Sequence, residues 1–140
     1  MSRELGAVAE LQTAELLLKT SDVTIGFDAT TQEELHINGI HFTTKNTCLA
    51  AAVDELAGGT ADDYAQHIIN TIDTLCDTYV YFNEKVSFHD TREKMINNIS
   101  NTLSDRCASN HAAIRVVNSE WGKNLNKLYC HLHPLYFVSP

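Results

Sequence analysis

A chain of 140 residues, 44% hydrophobic and 20% charged, is long enough for one domain that buries its own core. Its formal net charge of -8 and pI of about 5.2 exclude a broad basic nucleic-acid surface, since duplex affinity is mostly phosphate neutralised by lysine and arginine. Four scattered cysteines form no secreted disulfide framework, the start Met1-Ser2-Arg3-Glu4-Leu5 lacks a signal-peptide pattern, and no apolar run is long enough to span a membrane, so an intracellular protein, nuclear or cytoplasmic, is expected.

The first predicted element is a helix over 3–19, with Val8, Leu11, Ala14 and Leu18 on one face. A strand over 22–28 follows, with Val23, Ile25 and Phe27 to one side and Thr24, Gly26 and Asp28 to the other. A polar connection, 29–34, leads to a second strand over 35–44, so the two form a hairpin. The apolar phase of the second strand switches at Gly39, which predicts a bulge there. Residues 47–56 suit a third strand, although Leu49 to Val53 is equally compatible with a helix.

Gly58-Gly59 breaks the chain, and Thr60 with Asp62 and Asp63 marks a helix start. That helix runs to Thr78–Val80 along a stripe of Tyr64, Ile68, Ile72, Leu75, Cys76 and Tyr79. Residues 81–94 read as a loop with a short helix. Residues 95–104 fit either period, and their asparagine and serine density favours a strand. A helix over 107–121 with Ile114, Val117 and Trp121 on one face stops at Gly122, and a last strand covers 127–133. A three-strand meander followed by two helix-separated strands predicts an α/β fold, a mixed sheet flanked by helices.

Three sets of residues have chemical potential. Asp28, at the end of the first strand's apolar run, reads either as a turn residue or as an oxygen ligand for a hard cation such as Mg2+. Asp105 reads either as part of the helix cap before 107–121 or as a second carboxylate brought beside Asp28 by strand pairing. Two such acids at one sheet edge suit metal-assisted phosphodiester chemistry. Cys107 and His111, spaced i and i+4, with Cys130 and His133 offer four donors for tetrahedral zinc, or two thiols and two hydrogen-bonded imidazoles. His36, His41, His67 and His89 have no partner spacing and read as surface or sheet residues. Neither a phosphate-binding lysine loop nor a serine nucleophile elbow is present in the sequence.

The stretch VTIGFDATTQ around Asp28, the stretch NTLSDRCASNHA around Asp105, and CHLHPL with Cys130 and His133 together resemble the catalytic domain of hAT-type DNA transposases. LAGGTADDYAQHI is similar to the family's passage between its first two acids, and the resemblance spans about residues 20–136. It implies an RNase H-like sheet in which Asp28 and Asp105 are the first two acidic ligands and Cys130 and His133 are the family's Cys-x-x-His pair. It also implies Mg2+ or Mn2+ as cofactor, and DNA as the ancestral partner in cleavage and strand transfer.

The sequence departs from the family in two ways. Asp105 to Asn110 is one residue longer than the family spacing, which leaves the role of Asn110 open. The family's third acid, a glutamate well beyond the Cys-x-x-His segment, has no counterpart before the sequence ends at Pro140. The expectation is therefore a partial, truncated catalytic core over 21–140, preceded by a packed helix over 1–20, with vestigial acids and no cleavage. Two alternatives are a non-catalytic interaction module, self-associating through an apolar C-terminal edge at Leu135, Tyr136, Phe137 and Val138, and a zinc-stabilised domain built on Cys107, His111, Cys130 and His133.

Overall fold

The computed structural model describes residues 2–105 and 108–129. Its first helix, α1 (Ser2–Lys19), spreads leucines around its circumference, so its sequence selects no single face strongly. Packing decides: Thr13, Ala14 and Leu17 are buried, whereas Val8 points outward. The predicted stripe is thus rotated, with Ala14 retained and Val8 lost from it. Asn98 donates from Nδ2 to the Leu17 carbonyl at 2.7 Å, and Thr78 donates to the Glu10 carboxylate at 2.5 Å, fixing α1 on the domain.

Strands β1 (Val23–Gln32), β2 (Leu35–Thr43) and β3 (Cys48–Leu56) form the expected antiparallel meander. β1 continues four residues beyond its expected end. Only Glu33 and Glu34 turn the chain, at φ 51° and 69°, the mirror-image geometry that matches the twist of paired strands. Side chains other than glycine rarely adopt this conformation, which is why the sequence pointed to a longer connection.

The bulge expected at Gly39 is elsewhere. β1 and β2 pair without interruption through Asp28 and Gly39, and Asn38, Ile40 and Phe42 alternate into the interior. A buried polar residue, Asn38, occupies the core phase and makes the apolar pattern look shifted. The register break lies between β2 and β3: Ile40 pairs with Ala52 and His41 with Ala50, which leaves Ala51 as the extra residue.

Helix α2 (Ala61–Phe82) starts at Thr60 with a reciprocal capping box, Thr60 accepting from the Asp63 amide while the Asp63 carboxylate accepts from the Thr60 amide. Its buried stripe includes Ile68, Ile72, Leu75 and Cys76. A second helix, α3 (Phe88–Asn98), capped by Ser87, hands over directly to β4 (Ile99–Ser104). The strand predicted from residue 95 therefore begins at 99. Met95 and Ile99 are buried on either period, so burial alone did not separate helix from strand. Lys123 reaches back and donates to the carbonyls of Ile96 and Ile99, satisfying the end of α3. Helix α4 (Ala108–Trp121) stops at Gly122, whose φ of 64° is the left-handed conformation that ends helices, and β5 (Asn126–Tyr129) follows.

The sheet order is β3-β2-β1-β4-β5, with β4 and β5 parallel to β1. This is an α/β architecture with a five-stranded mixed sheet flanked by four helices among the described residues, and it is compatible with an RNase H-like fold. Val23, Ile25, Phe27, Ile40 and Phe42 share one sheet face and one core with residues of all four helices. The phase of Thr24, Gly26, Asp28, Gly39 and His41 faces the other way and contributes nothing to that core. No helix of the described residues is long and apolar enough to cross a membrane.

Candidate functional site

The parallel pairing of β1 with β4 decides where the two acids stand. Ile25 is in register with Thr102 and Gly26 with Leu103. Two residues further along each chain lie Asp28 and Asp105. The ladder's last pair is Gly26 with Leu103, and the same register continued leads toward Asp28 on β1 and Asp105 just past β4. Asp28 does not end its strand, as its sequence context had suggested. It sits mid-strand, paired with Gly39 of β2, and it is exposed on the face opposite the core. Its backbone is paired with β2 on one flank, whereas the β4 ladder ends at Gly26.

Asp105 lies just past β4 and is half-buried. Its carbonyl accepts from the Asn110 amide at 3.2 Å and from the Ser104 hydroxyl at 3.3 Å. Asn110 is itself buried in the first turn of α4. Asn110 thus anchors the Asp105 backbone to the start of α4.

His41, assigned no role from sequence, belongs to the same face. It pairs with Gly26, and a Cβ on Gly26 would overlap the His41 ring, so the imidazole lies across the glycine. A shallow depression of about 360 Å³ is lined by Asp28, Gly39, His41, Ala50 and Val53, among others. The sequence did carry a signal for it: Gly26 lies inside a strand, where glycine marks a close approach by another group, here the His41 ring.

Two carboxylates suit a hard cation such as Mg2+ or Mn2+, which takes oxygen donors. Among the described residues, the one group of three side chains with ligand atoms within 4.8 Å of one another is elsewhere: His89, Asp90 and Glu93, all exposed on the first two turns of α3. No third described side chain closes a ligand set of that kind on Asp28 and Asp105.

Of the proposed zinc set, Cys107, Cys130 and His133 lie outside the described residues, as do Leu135, Tyr136, Phe137 and Val138. His111 is half-buried on α4. Of the other two cysteines, Cys48 is exposed and Cys76 is buried. Burial, with a smaller contribution from Asp73, pushes the Cys76 thiol up to about 12, so it is an inert core group.

His67 corrects the reading of the isolated histidines. It is buried in α2 and joins two strands: Nδ1 meets Asn38 Nδ2 at 2.9 Å and Nε2 meets the Asp54 carboxylate at 2.8 Å. Asn38 donates to Nδ1, which assigns the proton to Nε2 and directs it at Asp54. With both ring nitrogens engaged, His67 serves as a brace between α2, β2 and β3 and has no free nitrogen to act as a base. His36 is half-buried beside Gly59, and His89 is exposed.

Comparison with family models and with curated proteins returns no match for this chain.

Proposed function

We infer that this chain is a transposase-derived RNase H-like domain whose Asp28 and Asp105 hold a single divalent cation loosely and do not cut DNA. The observation that supports the reading is the β1–β4 register, which leads toward Asp28 and Asp105 at one end of the two strands, with Asp28 exposed away from the helical core. The resemblance to hAT-type transposases, in the stretches around these same acids, supplies the ancestral activity. Metal-dependent cleavage and strand transfer use ligands that clamp both the attacking and the leaving oxygen between two ions. Two carboxylates are too few for that clamp. The net charge of -8 also opposes tight duplex binding.

The test pairs two measurements on the full chain. Titration with Mn2+, followed by water-proton relaxation, is expected to show weak binding that Asp28→Asn abolishes. Plasmid nicking in Mn2+ or Mg2+ is expected to stay at background. Nicking that disappears in Asp28→Ala would overturn the inactive part of the reading. Mn2+ binding that is absent, or indifferent to Asp28→Asn, would remove the site.

A further inference from the structure

We propose that the cleft between α1, the end of α2 and the start of α3 docks a segment of a partner protein in which carboxylates flank an aromatic or aliphatic anchor. The cleft holds about 430 Å³ and is lined by Leu18 and Lys19 from α1, Tyr79 from α2, Lys85 and Val86 from the connection, and Lys94 from α3, among others. The stretch 81–88, which supplies Lys85, Val86 and Ser87 to the cleft, also carries exposed apolar side chains. Of the nine exposed large hydrophobic residues among those described, four (Tyr81, Phe82, Val86 and Phe88) fall within residues 81–88, and Val86 is in the lining itself. Tyr81 is 77% exposed, and its ring meets Phe82 edge-on at 5.1 Å. Nothing in the core requires these side chains outside, and clustered exposed apolar groups beside a cleft mark interaction surfaces.

Charge identifies the occupant. Lys19, Lys85 and Lys94 are three of the ten basic residues of a chain whose net charge is -8. Lys19 is paired with Glu15 at 3.8 Å, whereas Lys85 and Lys94 make no ion pair or hydrogen bond with any described residue. Two unpaired ammonium groups in a lining that also holds Leu18, Tyr79 and Val86 suit a segment that offers separate carboxylates around a buried anchor.

A single nucleic-acid strand fits less well. Glu15 and Asp90 also line the cleft and would oppose a continuous phosphate chain. Tyr81 and Phe82 stand at 87° to each other, so they do not offer the two parallel platforms on which successive bases stack.

The test is selection of random peptides displayed on phage against the full chain. Enriched peptides are expected to carry Asp or Glu beside Phe, Tyr, Leu or Ile. Their affinity is expected to fall at least about tenfold in Lys85→Glu/Lys94→Glu and in Phe88→Ser, with unchanged circular dichroism. Asp28→Asn is expected to leave it unchanged, which separates this surface from the sheet-face acids. Failure to enrich any peptide, enrichment of basic peptides, or binding that survives both surface variants would overturn the proposal. So would binding of an oligothymidylate that these variants abolish, because it would identify a nucleic-acid strand as the occupant.

Discussion

Replacing His67 with leucine tests whether the Asn38–His67–Asp54 brace holds the sheet to α2. Asn38 has no exposed surface, and its Oδ1 already lacks a partner. Removing the imidazole leaves Nδ2 unpaired as well, and a buried donor left unsatisfied costs about 1–3 kcal/mol. The Asp54 side chain is 60% exposed and simply rehydrates, so its lost bond contributes only about 0–1 kcal/mol after solvent screening. Leucine is apolar and suits the buried site, which offsets part of the loss, so the net expectation is roughly 2 kcal/mol. Urea denaturation reads this as a midpoint lower by about 1 M, given slopes of roughly 1–3 kcal/mol/M for small proteins. Asn38→Leu alone costs a similar amount, because it strands Nδ1 of a buried His67. The double variant Asn38→Leu/His67→Leu removes both stranded groups and recovers most of the loss. Costs that simply add, or a His67→Leu midpoint equal to that of the parent, would refute the brace.

Two further outcomes follow from single side chains. Peptide-resolved alkylation with iodoacetamide at mildly alkaline pH is expected to label Cys48 and to spare Cys76 until the chain is unfolded. Because burial raises the Cys76 thiol from its ordinary 9.0 to about 12, the folded state keeps a proton that the unfolded state releases, so its contribution to stability is full below 9.0 and falls as pH rises towards 12; labelling of native Cys76 at the rate of Cys48 would contradict its burial. Asp28→Thr is expected to leave thermal stability unchanged or raise it by up to about 1 kcal/mol while abolishing Mn2+ binding, since threonine suits a strand better than aspartate; a clear loss of stability would make Asp28 a structural residue.

The parts of the fold legible in the sequence are those whose causes are local. Thr60 and Asp63 cap α2 across three residues, the isoleucine stripe behind them repeats at helical spacing, and Gly122 ends α4 by its own backbone freedom. Long-range causes stayed hidden. Asn38 mimicked a bulge at Gly39 because its partner, His67, is 29 residues away, and His67 looked isolated for the same reason. The start of β4 was misplaced because Met95 and Ile99 satisfy both periods, and the end of α3 is secured by Lys123, well outside any local window. Asp28 and Asp105 were readable as candidates, and strand pairing as the way to bring them together; the register that leads toward both was not, because the sequence does not fix how two strands align.

That register changes what Asp28 signifies. An aspartate just past a strand needs no explanation beyond turn chemistry. Asp28 instead lies five residues inside β1, hydrogen-bonded neighbours on one side through Gly39 and a parallel strand leading to Asp105 on the other. Aspartate is depleted at such positions because its short polar side chain competes for the backbone and packs poorly on a pleated surface. The helices leave this face clear, so no buried partner compensates for the choice. Glycine at 26 and 39 keeps the surroundings of Asp28 low, and His41 folds flat over the first of them, which preserves an open depression beside the carboxylate. An acid placed where sheet propensity disfavours it, with glycines clearing the space beside it, is what the proposed cation site requires of Asp28, and it is the physical ground on which that proposal stands.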